Sequence, residues 1–514
     1  MTQRSLLALT AVSAVLATTG MAQSTTISTV EHTVETVATA SGPTIRVASF
    51  NAFLNRFNEG DLTAELATPD SPQVQAVAEI IQRVRPDVIL LNEVDFDASE
   101  QAINLLRRNY LSQSQNGAQP ISYRHAFVAP SNTGLPSGFD LNNDGVVGTE
   151  VGTFDYANDA LGFGFFPGQF GMAVLSRFPL DEDNIRTFQN FLWADMPGAL
   201  LPDDDSTPEP ADFYSAEELA VFPLSSKSHW DIPVLIGGET LHLLAAHPTP
   251  PVFDGPEDRN GRRNFDEIRF WADYVTPGAG DYIYDDEGSF GGLGDGERFA
   301  IVGDYNSDPL DGDSIPGAIQ QLTDSDLIVD PCPTSLGGLE KALMQGLANA
   351  LHISSPAFDT ADFGDEAPGN LRADYVLSSA NNGIAGAGVF WPGDEDPLSA
   401  LTGDGVDVVS SDHRLVWADL AMDLVDDSLE VPEQLAVEFL GEATFPTGLI
   451  VGDTELGGLS AIVYEASIDT YIALSDDRGA LADSRAYTLS IDLSNGTLGD
   501  GDVVFGDVIT LLDE

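Results

Sequence analysis

Short, nearly unbroken apolar runs are the sequence feature that most limits the fold of this chain. Val88–Leu91, Leu241–Ala246 and Ala300–Val302 are a few residues long and lack the regular polar alternation of a half-exposed strand. Runs of this kind predict strands that are buried on both faces of a sheet. Such sheets need helices to cover them, so we expect an α/β fold.

Further elements alternate along the same stretch of sequence. Ser71 and Pro72 offer an N-cap and a first-turn proline for a helix that Pro86 ends. The apolar face of this helix is predicted to be Val74, Val77, Ile81 and Val84. Four more strands are predicted at Ile45–Phe50, Ala173–Ser176, Tyr375–Leu377 and Leu415–Leu420.

The composition indicates a folded and very acidic protein. The chain has 514 residues, of which 43% are hydrophobic, so apolar material for large cores is ample. With 21 Lys and Arg against 82 Asp and Glu, the formal net charge is −61. Such a surface repels phosphate backbones and anionic membranes, so an anionic substrate must be handled by local features such as bound cations. A single cysteine excludes intrachain disulfides and cysteine-based zinc clusters.

The N-terminus has the pattern of a secretory signal peptide. Arg4 precedes the apolar run Leu6–Thr19, and small residues up to Ala22 allow cleavage before Gln23. The competing interpretation is an uncleaved anchor, but the run is short for a bilayer span of about 20 residues. No later segment is long and apolar enough to cross a membrane. We therefore expect a secreted or periplasmic protein with a signal peptide at 1–22 and a linker at 23–42.

Polar residues that bind cations and phosphate follow several of the predicted strands. Each has an ordinary explanation when taken alone, such as a turn or a solvated strand end. Together they supply carboxylates, amides and imidazoles at strand ends, where a rigid sheet can gather distant groups into one pocket. These residues are Asn51, Glu93, His247, Asp304, Asn306, Asp412 and His413.

Six motifs in this region resemble the endonuclease/exonuclease/phosphatase superfamily, whose members include deoxyribonuclease I and neutral sphingomyelinases. In order they are ASFNAF, LLNEVD, AAHPTPP, VGDYNSDP, RADYVLSS and SSDHRLVWADL. The resemblance covers residues 43–423. It implies a four-layer sandwich in which two packed, mostly antiparallel sheets are flanked by helices, with the site at one rim. LNEV in place of LQEV, and the prolines after His247, depart from the better-known members.

The resemblance also implies roles for the polar residues. Glu93, helped by Asn51, holds Mg²⁺ or Mn²⁺ on the phosphate oxygens, in keeping with the few carboxylates that Mg²⁺ needs. Asp304 orients or deprotonates the attacking water, and Asn306 donates to the phosphoryl oxygens.

The remaining roles concern the histidines and their support. The resemblance implies that His413, held by Asp412, contacts the phosphoryl group or activates water, and that His247 assists the leaving oxygen. Asp374 is a candidate supporting carboxylate, and the alternative is a salt bridge to Arg372 or to another strand-end partner. A further hypothesis is that some arginines of the PEDRNGRRN run bind substrate phosphate, the alternative being internal pairing with neighbouring acids. These arginines are Arg259, Arg262 and Arg263.

The segment Asp140–Gly145 is a candidate structural calcium loop. Asp140, Asn142 and Asp144 place oxygens at the first, third and fifth positions of an EF-hand-like loop. The twelfth position is Val151 instead of glutamate, so a complete EF-hand is not expected.

The character of the sequence changes after residue 423. Residues 424–440 form an acidic linker, and 441–514 contain short strands with frequent turns. GGLSAIVYEASIDTYIALSDDRG followed by RAYTLSIDL resembles the opening of an esterase-like phytase domain, for which the resemblance implies a β-propeller. Some 75 residues supply one or two blades, so an incomplete all-β segment is expected. The alternative is a small β appendage.

The function that this sequence predicts is a secreted, divalent-metal-dependent phosphoesterase. Hydrolysis of phosphodiesters by an activated water, as in nucleases, is the first hypothesis, with nucleic acid as a candidate partner. The alternatives are a phosphomonoesterase and a phospholipase or sphingomyelinase type of enzyme acting on headgroup phosphates. A catalytically idle binding module is an alternative of another class, and no oligomeric state is predicted.

Overall fold

The computed structural model describes residues 44–204, 206–403, 408–422, 438–446, 448–456, 459–465, 470–475, 485–491, 499 and 501–510. It also gives the backbone of two strands at 7–11 and 25–34. Most of the predicted signal peptide, its cleavage point at Ala22 and most of the two predicted linkers lie outside these residues. None of the helices in the described part combines the length and apolar character that a bilayer crossing requires.

Among the residues that the structure describes, strands far outnumber long helices. The first eleven strands are β1 (Leu7–Ala11), β2 (Thr25–Val34), β3 (Thr44–Leu54), β4 (Val88–Val94), β5 (His125–Phe127), β6 (Gly171–Ser176), β7 (Arg186–Thr187), β8 (His229–Ile236), β9 (Glu239–Ala246), β10 (Phe299–Asp304) and β11 (Ile328–Val329). The others are β12 (Ala361–Asp362), β13 (Asn370–Leu371), β14 (Asp374–Ser379), β15 (Gly383–Val389), β16 (Val416–Ala421), β17 (Glu438–Phe445), β18 (Ile450–Val451), β19 (Thr454–Glu455), β20 (Leu459–Glu465), β21 (Thr470–Ser475), β22 (Arg485–Ile491) and β23 (Val503–Thr510). Every strand predicted from an apolar run is confirmed.

Helices fill the connections. The α-helices are α1 (Asp61–Leu66), α2 (Pro72–Val84), α3 (Gln101–Leu105), α4 (Phe154–Asn158), α5 (Ala216–Leu219), α6 (Arg259–Val275), α7 (Gln320–Thr323) and α8 (Leu336–Gln345). A π-helical turn spans Leu106–Leu111, and 3₁₀ turns lie at Glu182–Asn184, Trp193–Asp195, Ala279–Tyr282, Asn349–Leu351, Pro356–Phe358 and Pro397–Leu401. As predicted, Ser71 caps α2 by accepting from the Val74 amide, and Pro72 is the first helical residue.

The unit Ala40–Val425 is built on two six-stranded sheets. Their strand orders are β15-β16-β3-β4-β6-β5 and β11-β14-β10-β9-β8-β7. Each sheet contains one parallel pair, β3 with β4 in the first and β9 with β10 in the second. The other pairings within both sheets are antiparallel.

Alternate residues of each central strand face different layers. Leu90 of β4 and Val302 of β10 belong to one apolar core that joins the two sheets. Leu91 packs with α2 on the outer face of the first sheet, and Ile301 packs with α6 on the outer face of the second. Helix, sheet, sheet and helix therefore form four layers, which confirms the predicted sandwich.

The second unit contains 1–39 and 426–514 and is all-β in its described residues. It contains a three-stranded sheet β1-β2-β17, the hairpin β18-β19 and a four-stranded antiparallel sheet β20-β21-β22-β23. Tyr487 and Leu489 of β22 are central to its apolar core. The described strands form small sheets and no closed barrel, in agreement with the expected all-β segment.

The inter-sheet core gives a direct test of the layer arrangement. Leu90→Ala should lower the free energy of unfolding by about 2–5 kcal/mol, because Leu90 is fully buried between the sheets and truncation leaves a cavity. Leu235→Ala on β8 is the matched control, since Leu235 is 39% exposed and should lose less than about 1 kcal/mol. Urea unfolding of both variants measures the difference, and equal losses would contradict this packing.

Candidate active site

Two β-bulges direct Asn51 and Glu93 toward one rim of the sandwich. The register between β3 and β4 shifts after Asn51, and that between β4 and β6 shifts after Asn92. Glu93 has a φ of 58°, in the left-handed region that a glutamate rarely adopts. Bulges re-aim side chains next to active sites, and strained backbone of this kind clusters at such sites.

The second parallel pair supplies two more residues at the same rim. His247 directly follows β9, and Asp304 is the last residue of β10. Gly303, the residue before Asp304, lies very close to β9. A Cβ atom added to it would be only 2.1 Å from the Ala246 carbonyl oxygen. Only glycine allows this approach, which brings the ends of the two strands together.

Asp304 is the centre of the arrangement and is 1% exposed. Its Oδ2 accepts a hydrogen bond from Asn51 Nδ2 at 3.0 Å and lies 3.4 Å from His247 Nε2 and 3.6 Å from His413 Nε2. Its Oδ1 accepts from the backbone amide of Asn306 at 2.9 Å. The carboxylate is therefore held by groups from the ends of β3, β9 and β10 and from the segment before β16.

His413 is held by Asp374 and not by its sequence neighbour Asp412. The Nδ1 atom of His413 lies 2.8 Å from Asp374 Oδ2, which also accepts from Thr360 Oγ1 at 2.9 Å. Asp412 is only half-buried. The prediction that Asp412 holds His413 was wrong because β14, which pairs with β10, carries Asp374 into the rim. Arg372, one of the alternative partners of Asp374, instead pairs with Asp330 at 2.7 Å.

Opposite charges dominate the electrostatics of the cluster. Burial, together with Asp412, raises the pKa of Glu93 to about 7, although His413 and Asn51 act in the opposite direction. Burial disfavours protonated His413, but Asp374 and Asp304 outweigh it and hold the pKa of His413 well above its ordinary value. At neutral pH, His413 is therefore a buried imidazolium, and its charge balances the surrounding carboxylates.

The two histidines have different protonation states. Burial, with Lys227 and His413 nearby, lowers the pKa of His247 well below its ordinary value. Its Nδ1 is buried without a hydrogen-bond partner. His247 is therefore neutral where His413 is charged, and such a pair can divide acid and base work.

Lys227 is a site residue that the sequence did not reveal. It is 6% exposed and precedes β8, and its charge interacts with Glu267, Glu93 and Asp304. Burial lowers its pKa, and these carboxylates act in the opposite direction. SSKSHW carries no motif that marks its lysine, so only the pairing of β8 with β9 brings it to the rim.

Asn306 lies at the rim, half-buried and with a φ of 50°. Its Nδ2 donates to the Pro248 carbonyl oxygen at 3.1 Å, next to His247. The structure thus brings together all the predicted strand-end residues. Their chemical roles stay predictions.

The three arginines of the PEDRNGRRN run bind protein groups instead. Arg263 is buried and donates to the carbonyl oxygens of Leu224, Leu161 and Pro223, so a phosphate role for it is wrong. Arg259 pairs with Glu257, and Arg262 Nε donates to the Glu257 carbonyl at 3.1 Å. The alternative, pairing with neighbouring acids, therefore holds for Arg259, whereas Arg262 and Arg263 donate to backbone carbonyl oxygens.

The candidate calcium loop lies in the connection between β5 and β6. Asp140 accepts from the amides of Asp144 and Gly145 at 3.1 and 2.7 Å, and Asn142 Oδ1 accepts from the Asp144 amide at 3.2 Å. The side chains thus organise the loop on their own, and calcium binding stays a prediction.

The donor set at the rim fits a hard divalent cation. Asp304, Asp374 and His413 bring potential ligand atoms within 4.8 Å of one another, but a protonated His413 has no lone pair for a metal, so the donors here are the carboxylates. Asp374 Oδ1 is buried without a hydrogen-bond partner. Carboxylate and amide oxygens are what Mg²⁺ and Mn²⁺ prefer. Burial first, and then the nearby Asp412 carboxylate, raise the pKa of Glu93, and a bound cation would stabilise its ionised form.

Comparisons with known proteins agree with this geometry. The model of the endonuclease/exonuclease/phosphatase family matches residues 48–413, well over half of the chain. A second model, described as esterase-like activity of phytase, matches residues 454–514. No curated protein matches the chain at a significant level.

Several solved structures are similar. An endonuclease/exonuclease/phosphatase from Beutenbergia cavernae is 16% identical with a TM-score of 0.39, covering 88% of this chain and 82% of its own. A family protein from Leptotrichia buccalis is 12% identical with a TM-score of 0.37, covering 73% and 99%. Sphingomyelinase C from Streptomyces griseocarneus is 14% identical with a TM-score of 0.36, covering 74% and 99%.

Calcium binding to the loop Asp140–Gly145 should stabilise the folded protein. We expect the melting temperature to rise with calcium concentration, because a ligand that binds only the native state stabilises it. The double variant Asp140→Ala and Asp144→Ala should lose this response, measured by thermal unfolding with and without calcium. The same shift in the double variant would show that calcium binds elsewhere.

Proposed function

Because the chain belongs to the endonuclease/exonuclease/phosphatase family, we propose that it is a metal-dependent phosphodiesterase in which Asp304 activates the attacking water. The observation that supports this best is the Asp304 carboxylate, held between Asn51, His247 and His413. A carboxylate fixed by several donors can orient a water and accept its proton without reorganising.

The residues of the rim divide the remaining work. Glu93 and Asn51 would hold the divalent cation, whose positive charge would stabilise the negative charge on the phosphate oxygens. His413, kept cationic by Asp374, donates to a phosphoryl oxygen as negative charge develops there. Neutral His247 can hydrogen-bond to the leaving oxygen. Asn306 and Lys227 supply further hydrogen-bond donors to the negative charge that develops on the phosphoryl oxygens.

The substrate and the location stay the predictions made from the sequence. Nuclease-type cleavage of nucleic acid is the first candidate, and a secreted protein is expected from Leu6–Thr19. The alternatives are monoester hydrolysis, a phospholipase or sphingomyelinase type of activity on headgroup phosphates, and an idle binding module. The rim favours an enzyme, since a binding module has no need of a buried charge cluster next to strained backbone.

The catalytic assignment can be tested with shape-preserving variants. Glu93→Gln and Asp304→Asn should each reduce kcat for a chromogenic phosphodiester by about 10²–10⁴-fold, and chelation of divalent cations should abolish activity. If the residues act as one unit, the double variant should be little worse than either single variant. Asp266→Asn, a fully buried carboxylate elsewhere, is the matched control and should keep full turnover of the folded fraction. Full activity in Asp304→Asn would refute the assignment.

Lys227 offers an independent test of the charge arrangement. Lys227→Met should lower kcat by about 10²-fold, since it removes one cation aimed at developing negative charge. Lys341→Met is the control, because Lys341 is also 6% exposed but pairs with Asp394 at 2.8 Å. Equal loss of activity in both variants would indicate a general effect on folding.

Salt dependence can identify the substrate class. A nuclease that depends on many Lys and Arg contacts loses affinity steeply with salt. With a net charge of −61, cleavage of plasmid DNA should instead persist or increase up to about 0.5 M NaCl at saturating Mg²⁺, because screening weakens the repulsion. A steep loss of nicking with salt would reveal a basic binding surface and contradict this expectation.

A further inference from the structure

Four phenylalanines form a surface cluster, here called the aromatic patch, in which the exposed rings of Phe57, Phe154 and Phe163 surround Phe165, which is only 8% exposed. Phe165 stacks on Phe57 with ring centroids 5.4 Å apart and meets Phe154 and Phe163 edge-on at 5.1 and 5.5 Å. Phe57 is 70% exposed and Phe154 is 66% exposed. Several large rings exposed side by side are typical of a surface that binds something apolar.

The aromatic patch is fixed to the Glu93 side of the catalytic cluster. Asn55, two residues before Phe57, donates to Glu93 Oε2 at 2.8 Å. Gln169 then joins the two parts of the patch, because its Nε2 donates to the Arg56 carbonyl and its Oε1 accepts from the Phe165 amide, both at 2.7 Å. The rings are therefore rigidly placed relative to Glu93.

A second exposed surface, here called the aliphatic patch, lies on α8 and the turns that follow it. Its large apolar side chains range from 38% exposed at Leu339 to 82% at Leu351. They are Leu336, Leu339, Leu343, Met344, Leu347, Leu351 and Ile353. Seven such side chains within eighteen residues form an apolar surface that the described chain leaves uncovered.

The aliphatic patch is fixed to the His413 side of the cluster. Gln345, the last residue of α8, donates to Asp362 Oδ1 at 2.7 Å, and Asp362 Oδ2 accepts from Arg414 at 3.0 Å. The ring of Phe363 packs edge-on against the ring of His413 at 5.2 Å.

The contacts that anchor the two patches lie on either side of β3. In the first sheet, β3 with Asn51 has β4 on one side and β16 on the other. Glu93 belongs to β4, and His413 precedes β16. A flat apolar partner that touched both patches would face the cluster between them.

The charges around the patches decide between possible partners. Arg56, beside Phe57, pairs with Glu65, and Lys341 of α8 pairs with Asp394. With both cations neutralised and a net charge of −61, neither patch suits an anionic bilayer or a nucleic-acid strand, which needs basic residues along its backbone. A protein seated on both patches would cover the rim. A zwitterionic bilayer has no net charge, takes up Phe and Leu at its interface and carries phosphodiesters itself.

We propose that the aromatic and aliphatic patches dock this enzyme on the surface of a zwitterionic phospholipid bilayer, with the catalytic cluster facing the headgroups. The inference that headgroup phosphodiesters are substrates rests on the proposed phosphodiesterase function. The docking itself requires no catalysis.

Sedimentation with phosphatidylcholine vesicles tests the docking. The full chain should bind the vesicles, and binding should change little with salt because apolar burial drives it. Phe57→Ser with Phe154→Ser, and Leu343→Ser with Leu351→Ser, should each weaken binding by at least about tenfold. Phe290→Ser is the matched control, since Phe290 is 70% exposed outside both patches and should leave binding unchanged.

A second readout separates docking from catalysis. Both double variants should hydrolyse a soluble chromogenic diester like the unmodified chain while losing activity on phosphatidylcholine vesicles. Absence of vesicle binding by the unmodified chain, or equal binding by the double variants, would overturn the docking proposal. So would a single-stranded oligonucleotide that binds through the aromatic patch in place of vesicles. Failure to hydrolyse the soluble diester would instead overturn the proposed function, with vesicle binding still measurable.

Discussion

A carboxylate buried at the junction of two sheets is the constraint on which the rest of this structure depends. Asp304 ends a strand of the second sheet, and its carboxylate accepts a hydrogen bond from Asn51 Nδ2 of the first at 3.0 Å. Asn92 of the first sheet adds a second tie, because its Oδ1 accepts from the Asp304 amide and its Nδ2 donates to the Ala246 carbonyl, both at 3.3 Å. An ion in this place is tolerated only with such partners. The apolar core between the sheets therefore ends in a polar rim of fixed geometry.

The sequence predicted the elements well because burial determines them locally. Apolar runs located the central strands, and Ser71 with Pro72 located the start of α2. The strand-end residues could be grouped for the same reason, since strands carry whatever follows them to an edge of the sheet. The fold class and the list of rim residues were accessible from these patterns and from the family motifs.

The parts that could not be predicted depend on pairings between distant segments. Asp374 holds His413 because β14 pairs with β10, although Asp412 is adjacent in sequence. Lys227 reaches the rim because β8 pairs with β9. The left-handed backbone at Glu93 comes from a bulge whose register depends on three strands. None of these pairings leaves a local signal in the sequence, so residue types alone could not reveal them.

The matching parallel pairs have a consequence for how such an enzyme can diversify. In each parallel pair, β3 with β4 and β9 with β10, both strands end at the same rim. The four connections that follow these strands therefore all begin beside the catalytic cluster. Most of the apparatus that holds the cluster lies in the strands and bulges, whereas the length and composition of these connections are free to vary. Insertions there can change what is recognised while the hydrolytic centre stays intact, so one scaffold can be adapted to new phosphoesters by exchange of loops.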